Sequence, residues 1–358
     1  MALAPQATTL PGRFSRWLQA QWWQTKPGLA AQLLVPLTWA YLGLASWQRR
    51  RHQPTGPRAD LLPVPVVVVG NLIVGGAGKT PTTIALVRHL QRRGWRPGIV
   101  SRGYGRRGSE LVMVTAHTPA VACGDEPLLL HLRTQVPVAV AANRLVAAQT
   151  LVAAHEEVDI IVADDGLQHW PLPRDIEVLV FDGRGAGNGL TLPAGPLRQP
   201  MPLATTSAQL VVYNADQPST PLAGALAHRA LGGAVGLADW WRGKPASMRQ
   251  LDHLAQQSTH ADLVAAAGMA DPERFFTMVE QAGCRIRRWP LPDHADLTTP
   301  PWPAATADVL VTEKDAVKLR PEVMGTTRVW VVTLDFQLPP EFTAALDQLL
   351  PQPGPKIP

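Results

Sequence analysis

The chain has 358 residues, of which 46% are hydrophobic and 17% charged, and its formal net charge is +5. This length and composition supply a large buried core and exclude an intrinsically disordered chain. Its two cysteines, Cys123 and Cys284, cannot build a disulfide framework, so a reducing compartment is the default expectation.

The basic excess lies in the first 60 residues, which contain seven Lys and Arg residues and one acid, Asp60. Residues 61–358 hold 26 basic and 27 acidic residues and are therefore close to neutral. An enzyme that acts on nucleic acid needs a basic groove through its body. We therefore expect no nucleic-acid partner.

Residues 1–60 also contain five of the twelve tryptophans, and their longest uncharged stretch is residues 27–48. That stretch is long enough to span a bilayer, but polar residues and Pro36 dilute it and basic residues flank both ends. Tryptophan and arginine interleaved with apolar residues favour a helix that lies in the membrane interface. A membrane-spanning helix and an ordinary buried helix are the alternatives. Residues 49–60 have the composition of a linker, so residues 1–60 are predicted to be a membrane-associated segment with its linker.

From Pro63 onward, apolar β-branched runs alternate with helical patterns. Near-continuous Val and Ile runs are typical of strands buried on both faces of a parallel sheet, and the alternation predicts a doubly wound α/β fold. Helices are predicted over residues 80–94 and 143–156. Strands are predicted over residues 63–71, 96–101, 111–115, 137–142, 159–165, 176–182 and 208–214. Residues 61–214 are therefore predicted to form the first α/β domain.

The apolar pattern stops after about Asn214 and resumes at residue 262. A helix is predicted over residues 271–283, with Asp271 and Pro272 at its start. Strands are predicted over residues 262–269, 307–315 and 327–335. Residues 215–350 are therefore predicted to form a second, smaller α/β domain.

The strongest functional motif is VVVVGNLIVGGAGKTP, residues 66–81, in which a strand enters a glycine-rich turn that opens a helix. The backbone N–H groups of such a turn surround phosphate oxygens, and the helix N-terminus adds partial positive charge. The lysine of this motif reaches the β- and γ-phosphates and the hydroxyl after it binds Mg²⁺. The loop departs from the usual pattern, whose first glycine would fall at position 73, where this chain has Ile73. In a deviant class of the loop a lysine would stand at position 74, where this chain has Val74. Nucleotide phosphates are predicted to bind Ile73, Val74, Gly75, Gly76, Ala77, Gly78, Lys79 and Thr80.

Two acids, Asp164 and Asp165, end the predicted strand 159–165. An acid at this position beside a phosphate-loop strand commonly holds Mg²⁺ directly or through water, so we predict Thr80, Asp164 and Asp165 as metal ligands. The structural alternative is an aspartate that caps the next turn. Gln168 and His169 follow, and a loop histidine is more often structural than functional.

Five further segments are ambiguous on their own. Asp125, in the sequence GDEP, precedes an apolar helix, where acids ordinarily favour the helix dipole. The loop SRGYGRR (residues 101–107) could bind phosphate or simply be basic. Residues 181–200 form a long Gly/Pro-rich loop at the carboxyl end of a strand, where open α/β sheets usually bind ligands. The polar clusters 292–294 and 312–315 read as turns.

Taken in order along nearly the whole chain, these motifs resemble the tetraacyldisaccharide 4′-kinases of lipid A assembly. The resemblance rests on GNLIVGGAGKTP, SRGYGRR, GDEP, ADDGLQH, FDG…GNG…LPAGPLR, PDH and TEKDAVKL. It implies a P-loop NTPase-like fold with a cleft between two α/β/α domains. It also implies phosphorylation of the 4′-hydroxyl of a tetraacylated glucosamine disaccharide 1-phosphate, with ATP and Mg²⁺, by a peripheral or monotopic enzyme at the cytoplasmic face of the bacterial inner membrane.

By motif match, the resemblance assigns an Asp–His pair that assists the attacking hydroxyl to Asp125 and His294. Weaker expectations of substrate contact fall on Arg102, Tyr104, Gln168, His169, Asn188 and Arg198. The chain departs from the family pattern at Gln199, Ala295 and Leu297, and the last two put the packing around His294 in question.

Two other functions share some of these motifs. A membrane-associated ATPase switch of the deviant phosphate-loop class would keep the loop and the strand-end acids, but it needs lysine in place of Val74 and a dimer. A nucleotide-gated membrane scaffold would not need the Asp125–His294 pair. ATP consumption with and without a lipid acceptor separates all three.

Overall fold

The computed structural model describes residues 12–52, 61–259 and 262–353, with side chains from residue 17 onward. Its first part consists of three helices, α1 (Gly12–Trp22), α2 (Leu29–Leu33) and α3 (Val35–His52). The uncharged stretch therefore forms two helices and not one. Pro36 lies in the first turn of α3, where its missing N–H is tolerated, and its ring would clash with the carbonyl of Gln32 in a continuous helix.

The linker prediction was wrong for residues 49–52, because they continue α3. The remaining linker residues, 53–60, lie outside the described residues. Across the described ranges, no helix combines the length and the apolar character that crossing a membrane requires.

The first sheet has eight strands in the order β3-β4-β2-β5-β1-β6-β7-β8, all parallel except for the β3–β4 pair. Its strands are β1 (Val66–Gly70), β2 (Pro97–Ser101), β3 (Val112–Val114), β4 (Val138–Val140), β5 (Ile160–Asp164), β6 (Ile176–Asp182), β7 (Gln209–Asn214) and β8 (Ala225–Leu226). The intervening helices are α4 (Lys79–Arg92), α5 (Ala120–Cys123), α6 (Asp125–Thr134) and α7 (Arg144–Ala154). The seven strands predicted here are confirmed, and the central strands β1 and β5 are buried along their whole length.

A second sheet has five strands in the order β11-β10-β12-β13-β9. Its strands are β9 (His228–Gly236), β10 (Leu263–Ala267), β11 (Ile286–Pro290), β12 (Asp308–Thr312) and β13 (Arg328–Gln337). The remaining helices are α8 (Leu237–Trp241), α9 (Met248–Gln257), α10 (Pro272–Gln281), α11 (Glu313–Ala316) and α12 (Pro340–Leu349), with a 3₁₀ turn at Pro321–Val323. The sequence patterns did not predict β9 and β11, the two edge strands of this sheet. Two adjacent glycines interrupt the apolar pattern of β9, and two arginines interrupt that of β11.

The chain does not complete the first sheet and its helices before it begins the second. Strand β8, beyond residue 214, pairs with β7 of the first sheet, and helix α12 packs back on β7. His89 of α4 contacts Asp347 of α12, with 2.8 Å between Nε2 and Oδ1. The carboxyl ends of β1, β2 and β5 share one edge of the first sheet, because parallel strands run in the same direction. The loops that follow these strands build the site.

Candidate active site

The phosphate loop runs from the end of β1 to the start of α4. Gly75 and Gly78 have φ values of +87° and +92°, which favour glycine. A Cβ atom on Gly78 would lie 2.1 Å from Nδ2 of Asn214, so a side chain cannot be placed there without displacing the side chain of Asn214. Gly75 and Gly76 are exposed, so the turn is open to a ligand at the N-terminus of α4.

The start of the loop is already bonded to the chain around Leu197. The N–H of Val74 donates to the carbonyl of Pro196 (2.9 Å), and the N–H of Arg198 donates to the carbonyl of Leu72 (2.7 Å). Ile73 bridges Leu197, and its side chain is buried. Ile73 and Val74 therefore anchor the start of the loop through their backbone, and the residues from Gly75 onward follow as the open part of the turn.

Lys79 lies over the loop and is held by two polar neighbours. Its Nζ donates to Oδ1 of Asn71 (3.3 Å) and lies 3.6 Å from Oδ1 of Asp165. Asn71 in turn donates from Nδ2 to the carbonyl of Gly75 (3.0 Å). The sequence reasoning did not single out Asn71, although it directly follows the strand that enters the motif.

The strand-end acids occupy two different electrostatic environments. Asp164 is buried beside β1 and accepts a hydrogen bond from the Thr83 hydroxyl at 2.9 Å. Burial, together with the charges of Glu126 and Asp165, raises its pKa to about 7. Burial also acts on Asp165, but Lys79, Arg198 and Arg144 hold the pKa of that carboxyl below its ordinary value.

These residues fit a magnesium ion held together with phosphates. In the parts of the chain that the structure describes, no three or more His, Cys, Asp and Glu side chains form a metal-binding group. Mg²⁺ is commonly bound by one or two carboxylates, with phosphate oxygens and water completing its shell. Asp164, Asp165 and the Thr80 hydroxyl supply hard oxygen ligands of that kind beside the phosphate loop.

Two arginines fix the loop after β5. Arg198 donates from Nη1 to Oδ1 of Asp165 and to Oε1 of Gln168, both at 3.2 Å. Arg144 donates from Nη2 to the carbonyl of Asp165 at 3.2 Å. Of these, the sequence reasoning had named Gln168 and Arg198 but not Arg144, whose side chain is buried at the start of α7.

His169 and Asn188 point inward. The backbone N–H of Arg144 donates to Nε2 of His169 (3.1 Å), and burial together with nearby arginines lowers the pKa of His169 to about 3, so its ring stays neutral. Asn188 is buried and bonds within its own loop, to the N–H of Leu190 and the carbonyl of Ala194. The polar atoms of both residues therefore already have partners within the fold, and substrate contact by His169 and Asn188 stays a prediction.

Asp125 and His294 come together from the two sheets. Asp125 opens α6, His294 follows β11, and the distance from Nδ1 of His294 to Oδ2 of Asp125 is 3.1 Å. The ring of Tyr104 packs against His294, with centroids 5.2 Å apart, while Arg102 is exposed in the same loop. Lys314 lies 3.5 Å from Nε2 of His294 and pairs with Glu126 and Asp293.

A cavity of about 420 Å³ lies on the other side of the phosphate loop, at the end of β7. Asn214 donates from Nδ2 to the carbonyl of Ala77 (3.2 Å) and accepts from Arg229 (3.0 Å). Arg274 donates to the backbone carbonyl of Asn214 at 3.0 Å. The cavity is lined by Asn214, Ala215, Asp216, Leu226, Ala227, His228 and Arg229.

Helices α2 and α3 present an exposed apolar face, made of Leu29, Leu33, Leu37, Trp39, Leu44 and Trp47, each more than half exposed. The opposite side of α3 is fixed to the site loop. Thr38 donates to the carbonyl of Thr191 (3.1 Å), and the Tyr41 hydroxyl donates to the carbonyl of Arg198 (2.8 Å). Helix α3 therefore joins an apolar surface to the loop that carries Arg198.

The phosphate loop also contacts the end of α1 through Arg184. Its Nη2 donates to the carbonyl of Gly76 (2.8 Å) and to Asp182 (2.7 Å), and its guanidinium lies 4.4 Å from the ring centroid of Trp23. This residue was not among those predicted.

Comparison with known proteins gives one consistent result. A family model described as tetraacyldisaccharide-1-P 4′-kinase matches residues 30–351. A protein named tetraacyldisaccharide 4′-kinase from Methylibium petroleiphilum is 51% identical over 95% of this chain and 94% of its own, and one from Leptothrix cholodnii is 50% identical over 89% and 91%. The structure of LpxK from Aquifex aeolicus in complex with ATP matches with a TM-score of 0.69 and 22% identity, over 90% of this chain and 99% of that one, which establishes a shared fold.

Proposed function

The chain belongs to the tetraacyldisaccharide-1-P 4′-kinase family, and on that premise we propose how its residues carry out the reaction. The enzyme transfers the γ-phosphate of ATP to the 4′-hydroxyl of tetraacyldisaccharide 1-phosphate and forms lipid IVA. The observation that carries the proposed mechanism is the contact between Asp125 and His294 (3.1 Å).

ATP places its phosphates on residues Gly75–Thr80, which leave their backbone open at the start of α4. Lys79 moves from Asn71 and Asp165 to the β- and γ-phosphates, where its charge offsets the negative charge that develops during transfer. The nucleoside end occupies the cavity at the end of β7, which adjoins the loop through the hydrogen bond from Asn214 to Ala77. Its volume is in the range of ligand pockets.

Thr80, Asp164 and Asp165 would hold Mg²⁺ beside the phosphates. When bound, the ion would neutralise part of the charge on the phosphate oxygens. The Thr83 hydroxyl orients Asp164, and Arg198 and Lys79 keep Asp165 ionised.

Asp125 acts as the base that accepts the proton of the 4′-hydroxyl, because an unassisted sugar hydroxyl is a poor nucleophile at neutral pH. His294 donates from Nδ1 to Oδ2 of Asp125, and this tautomer leaves the lone pair on Nε2 to accept from Lys314. The acceptor lies along the loop after β2, where Arg102 and Tyr104 are exposed, with Gln168 and Arg198 on the opposite side.

The exposed apolar face of α2 and α3 rests in the membrane interface, where tryptophans and leucines are stabilised and the basic end of α3 meets anionic lipid. The acyl chains of the acceptor then stay in the bilayer while its sugar reaches the phosphate loop. We place the enzyme at the cytoplasmic face of the inner membrane, as a peripheral or monotopic protein. We further propose that residues 61–214, together with β8, and the rest of residues 215–350 are two domains that close a cleft around the substrates.

The test is ATP consumption by the purified full chain, followed with the lipid acceptor present and omitted. A kinase consumes ATP only with acceptor and labels the lipid. A membrane-associated ATPase switch of the deviant class consumes ATP without it.

A further inference from the structure

We propose that Lys318 is a positioning residue for phosphoryl transfer, which holds the carboxylate of Asp125 so that Oδ1 faces the acceptor hydroxyl. This inference rests on the proposed role of Asp125 as the base. It assigns a function to a second lysine of the TEKDAVKL segment, residues 312–319, of which the mechanism proposed above uses only Lys314.

The two groups in contact with the Asp125 carboxylate both approach the same oxygen, Oδ2. Nδ1 of His294 is 3.1 Å from Oδ2, and Nζ of Lys318 is 3.6 Å from Oδ2. In the described part of the chain, no hydrogen bond reaches Oδ1 of Asp125, although the carboxylate is largely buried. A carboxylate held through one oxygen presents the other in a fixed direction, which is the geometry a base needs for an incoming hydroxyl.

Lys318 is itself held in place by a fixed carboxylate. Asp315 is completely buried, and its Oδ2 accepts hydrogen bonds from the Thr312 hydroxyl (2.7 Å) and the N–H of Gly268 (3.0 Å). Its Oδ1 is 3.0 Å from Nζ of Lys318. The order of contacts therefore runs from the rigid end of β12, through Asp315 and Lys318, to Asp125.

The ammonium of Lys318 is well shielded from solvent, since its side chain is 8% exposed. Within the described residues its Nζ forms no hydrogen bond of ordinary geometry, so the ion pairs to Asp125 and Asp315 are what compensate its burial. Burying a charge is costly unless it is paired, and removing one partner leaves the other uncompensated. A purely structural ion pair between the two sheets would show the same distances, so the test must measure catalysis separately from stability.

The groups around Asp125 determine the expected pH response. Lys318 and His294 face it from the second sheet, with Lys314, Asp293 and Asp315 behind them. Its own helix contributes Glu126, and the preceding segments contribute Tyr104, Arg106 and Cys123. Lys318 and His294 are the partners in direct contact with the carboxylate, so loss of the ammonium should favour protonation of Asp125.

The experiment compares kcat, KM for ATP and the pH profile of lipid phosphorylation for the full chain and three variants. In Lys318→Met, which keeps most of the stem, we expect kcat to fall about 100-fold with KM for ATP unchanged within about twofold. The acidic limb of its pH profile should move to higher pH, because a positive charge beside the carboxylate is lost. Lys318→Arg keeps the charge in a different geometry, so its acidic limb should match the wild type while kcat falls about three- to tenfold.

Glu313→Gln is the matched control, because Glu313, five residues before Lys318, also connects this segment to α6, through its ion pair with Arg133, and has no contact with Asp125. It should lower the unfolding temperature and leave the pH profile unchanged. An unshifted profile with wild-type kcat in folded Lys318→Met would overturn the inference. If Lys318→Met does not fold, wild-type kcat in Lys318→Arg overturns it.

Asp125→Asn, measured in parallel, separates the two proposals. If it stays inactive while Lys318→Met behaves as the wild type, only the role of Lys318 is wrong. If Asp125→Asn itself has wild-type kcat, the role of Asp125 is wrong, and with it that of Lys318.

Discussion

Nδ1 of His294 lies 3.1 Å from Oδ2 of Asp125, although 169 positions separate the two residues in the chain. Asp125 stands at the start of a helix that packs on the first sheet, and His294 follows an edge strand of the second. The contact therefore depends on how the two sheets pack against each other. Any movement of one sheet relative to the other changes the distance between His294 and the proposed base, Asp125.

Removing either partner of this pair should lower kcat by about 10²–10⁴-fold, because general-base assistance is lost. We expect the Asp125→Ala/His294→Ala double variant to be little slower than the slower single variant, since residues that act as one unit are not additive. Steady-state kinetics of the four proteins measure this. Multiplicative losses would mean that the residues act separately, and intact kcat with about 1 kcal/mol lower stability would leave Asp125 only a helix-start role.

Lys79→Ala should abolish most activity without unfolding the protein. The lost contact to the phosphates corresponds to about 10²–10³ in rate, and the remaining loop keeps its bonds to Pro196 and Leu72. Thr80→Ala should act in the same direction and raise the Mg²⁺ concentration needed for half-maximal rate. Lys244→Ala, at an exposed ion pair with Asp239, is the control for charge removal. Near-normal kcat in Lys79→Ala would rule out the phosphate-loop assignment.

The raised pKa of Asp164 predicts opposite pH trends for stability and for metal binding. Burial and neighbouring carboxylates raise this pKa to about 7 in the folded chain, so the proton stays bound there after the unfolded chain has lost it. Without metal, this group's contribution to the free energy of unfolding is complete below about pH 4 and is lost as the pH rises to about 7. Mg²⁺ requires the ionised form, so its apparent affinity in the presence of ATP should increase up to about pH 7 and then level off.

Calorimetric titration of Mg²⁺ into the enzyme–ATP mixture, in buffers with different ionisation enthalpies, measures this proton release. We expect about one proton released at about pH 6 and little at about pH 8. Thermal unfolding of Asp164→Asn without metal is the control, and it should lose this part of the pH dependence. Equal Mg²⁺ affinity at both pH values would show that Asp164 does not lose a proton when the ion binds.

Three polar substitutions on the exposed apolar face, Leu33→Ser, Leu37→Ser and Trp39→Ser, should release the protein from membranes. Each removes an apolar side chain whose burial in lipid contributes about 1.5–3 kcal/mol, and raised salt should weaken the remaining electrostatic attraction. Co-sedimentation with anionic vesicles measures binding. Activity should fall on bilayer-embedded acceptor and stay near wild type on acceptor dispersed in detergent.

Deleting residues 1–50 is a less specific test of the same surface, because Thr38 and Tyr41 bond to the loop that carries Arg198. Tyr41→Phe is the matched variant on the opposite side of α3. It should leave vesicle binding intact and lower activity on both forms of acceptor. If the three serine variants lose activity equally on both forms, the face belongs to the catalytic fold and not to a membrane contact.

The parts of the site that could be predicted from the sequence are those formed by residues that are close together in the chain. The strand, glycine turn and helix around Lys79 are contiguous, and Asp164 ends an uninterrupted apolar strand, so each could be placed without knowing the rest of the fold. Asp125 could not be assigned in this way, because an acid before Pro127 looks like any helix start. Only the family resemblance paired it with His294.

The direction of loop side chains could not be predicted either. His169 and Asn188 belong to loops beside the site, and no periodicity indicates that the first accepts from Arg144 and the second braces its own loop. Arg144 and Lys318 were not predicted, because a charged residue in a helix or turn usually lies on the solvated surface and nothing in the local sequence shows that these two side chains are buried. The edge strands β9 and β11 lack the apolar runs on which strand prediction depends.

The most direct test of the account is transfer of labelled γ-phosphate from ATP to tetraacyldisaccharide 1-phosphate by the wild type and by Asp125→Asn, with ATP consumption followed in parallel when the acceptor is omitted. The account predicts labelled lipid from the wild type and no ATP consumption without acceptor. For Asp125→Asn it predicts unchanged ATP affinity and a transfer rate lower by about 100-fold or more. ATP turnover that is equally fast without acceptor, or transfer by Asp125→Asn at the wild-type rate, would contradict it.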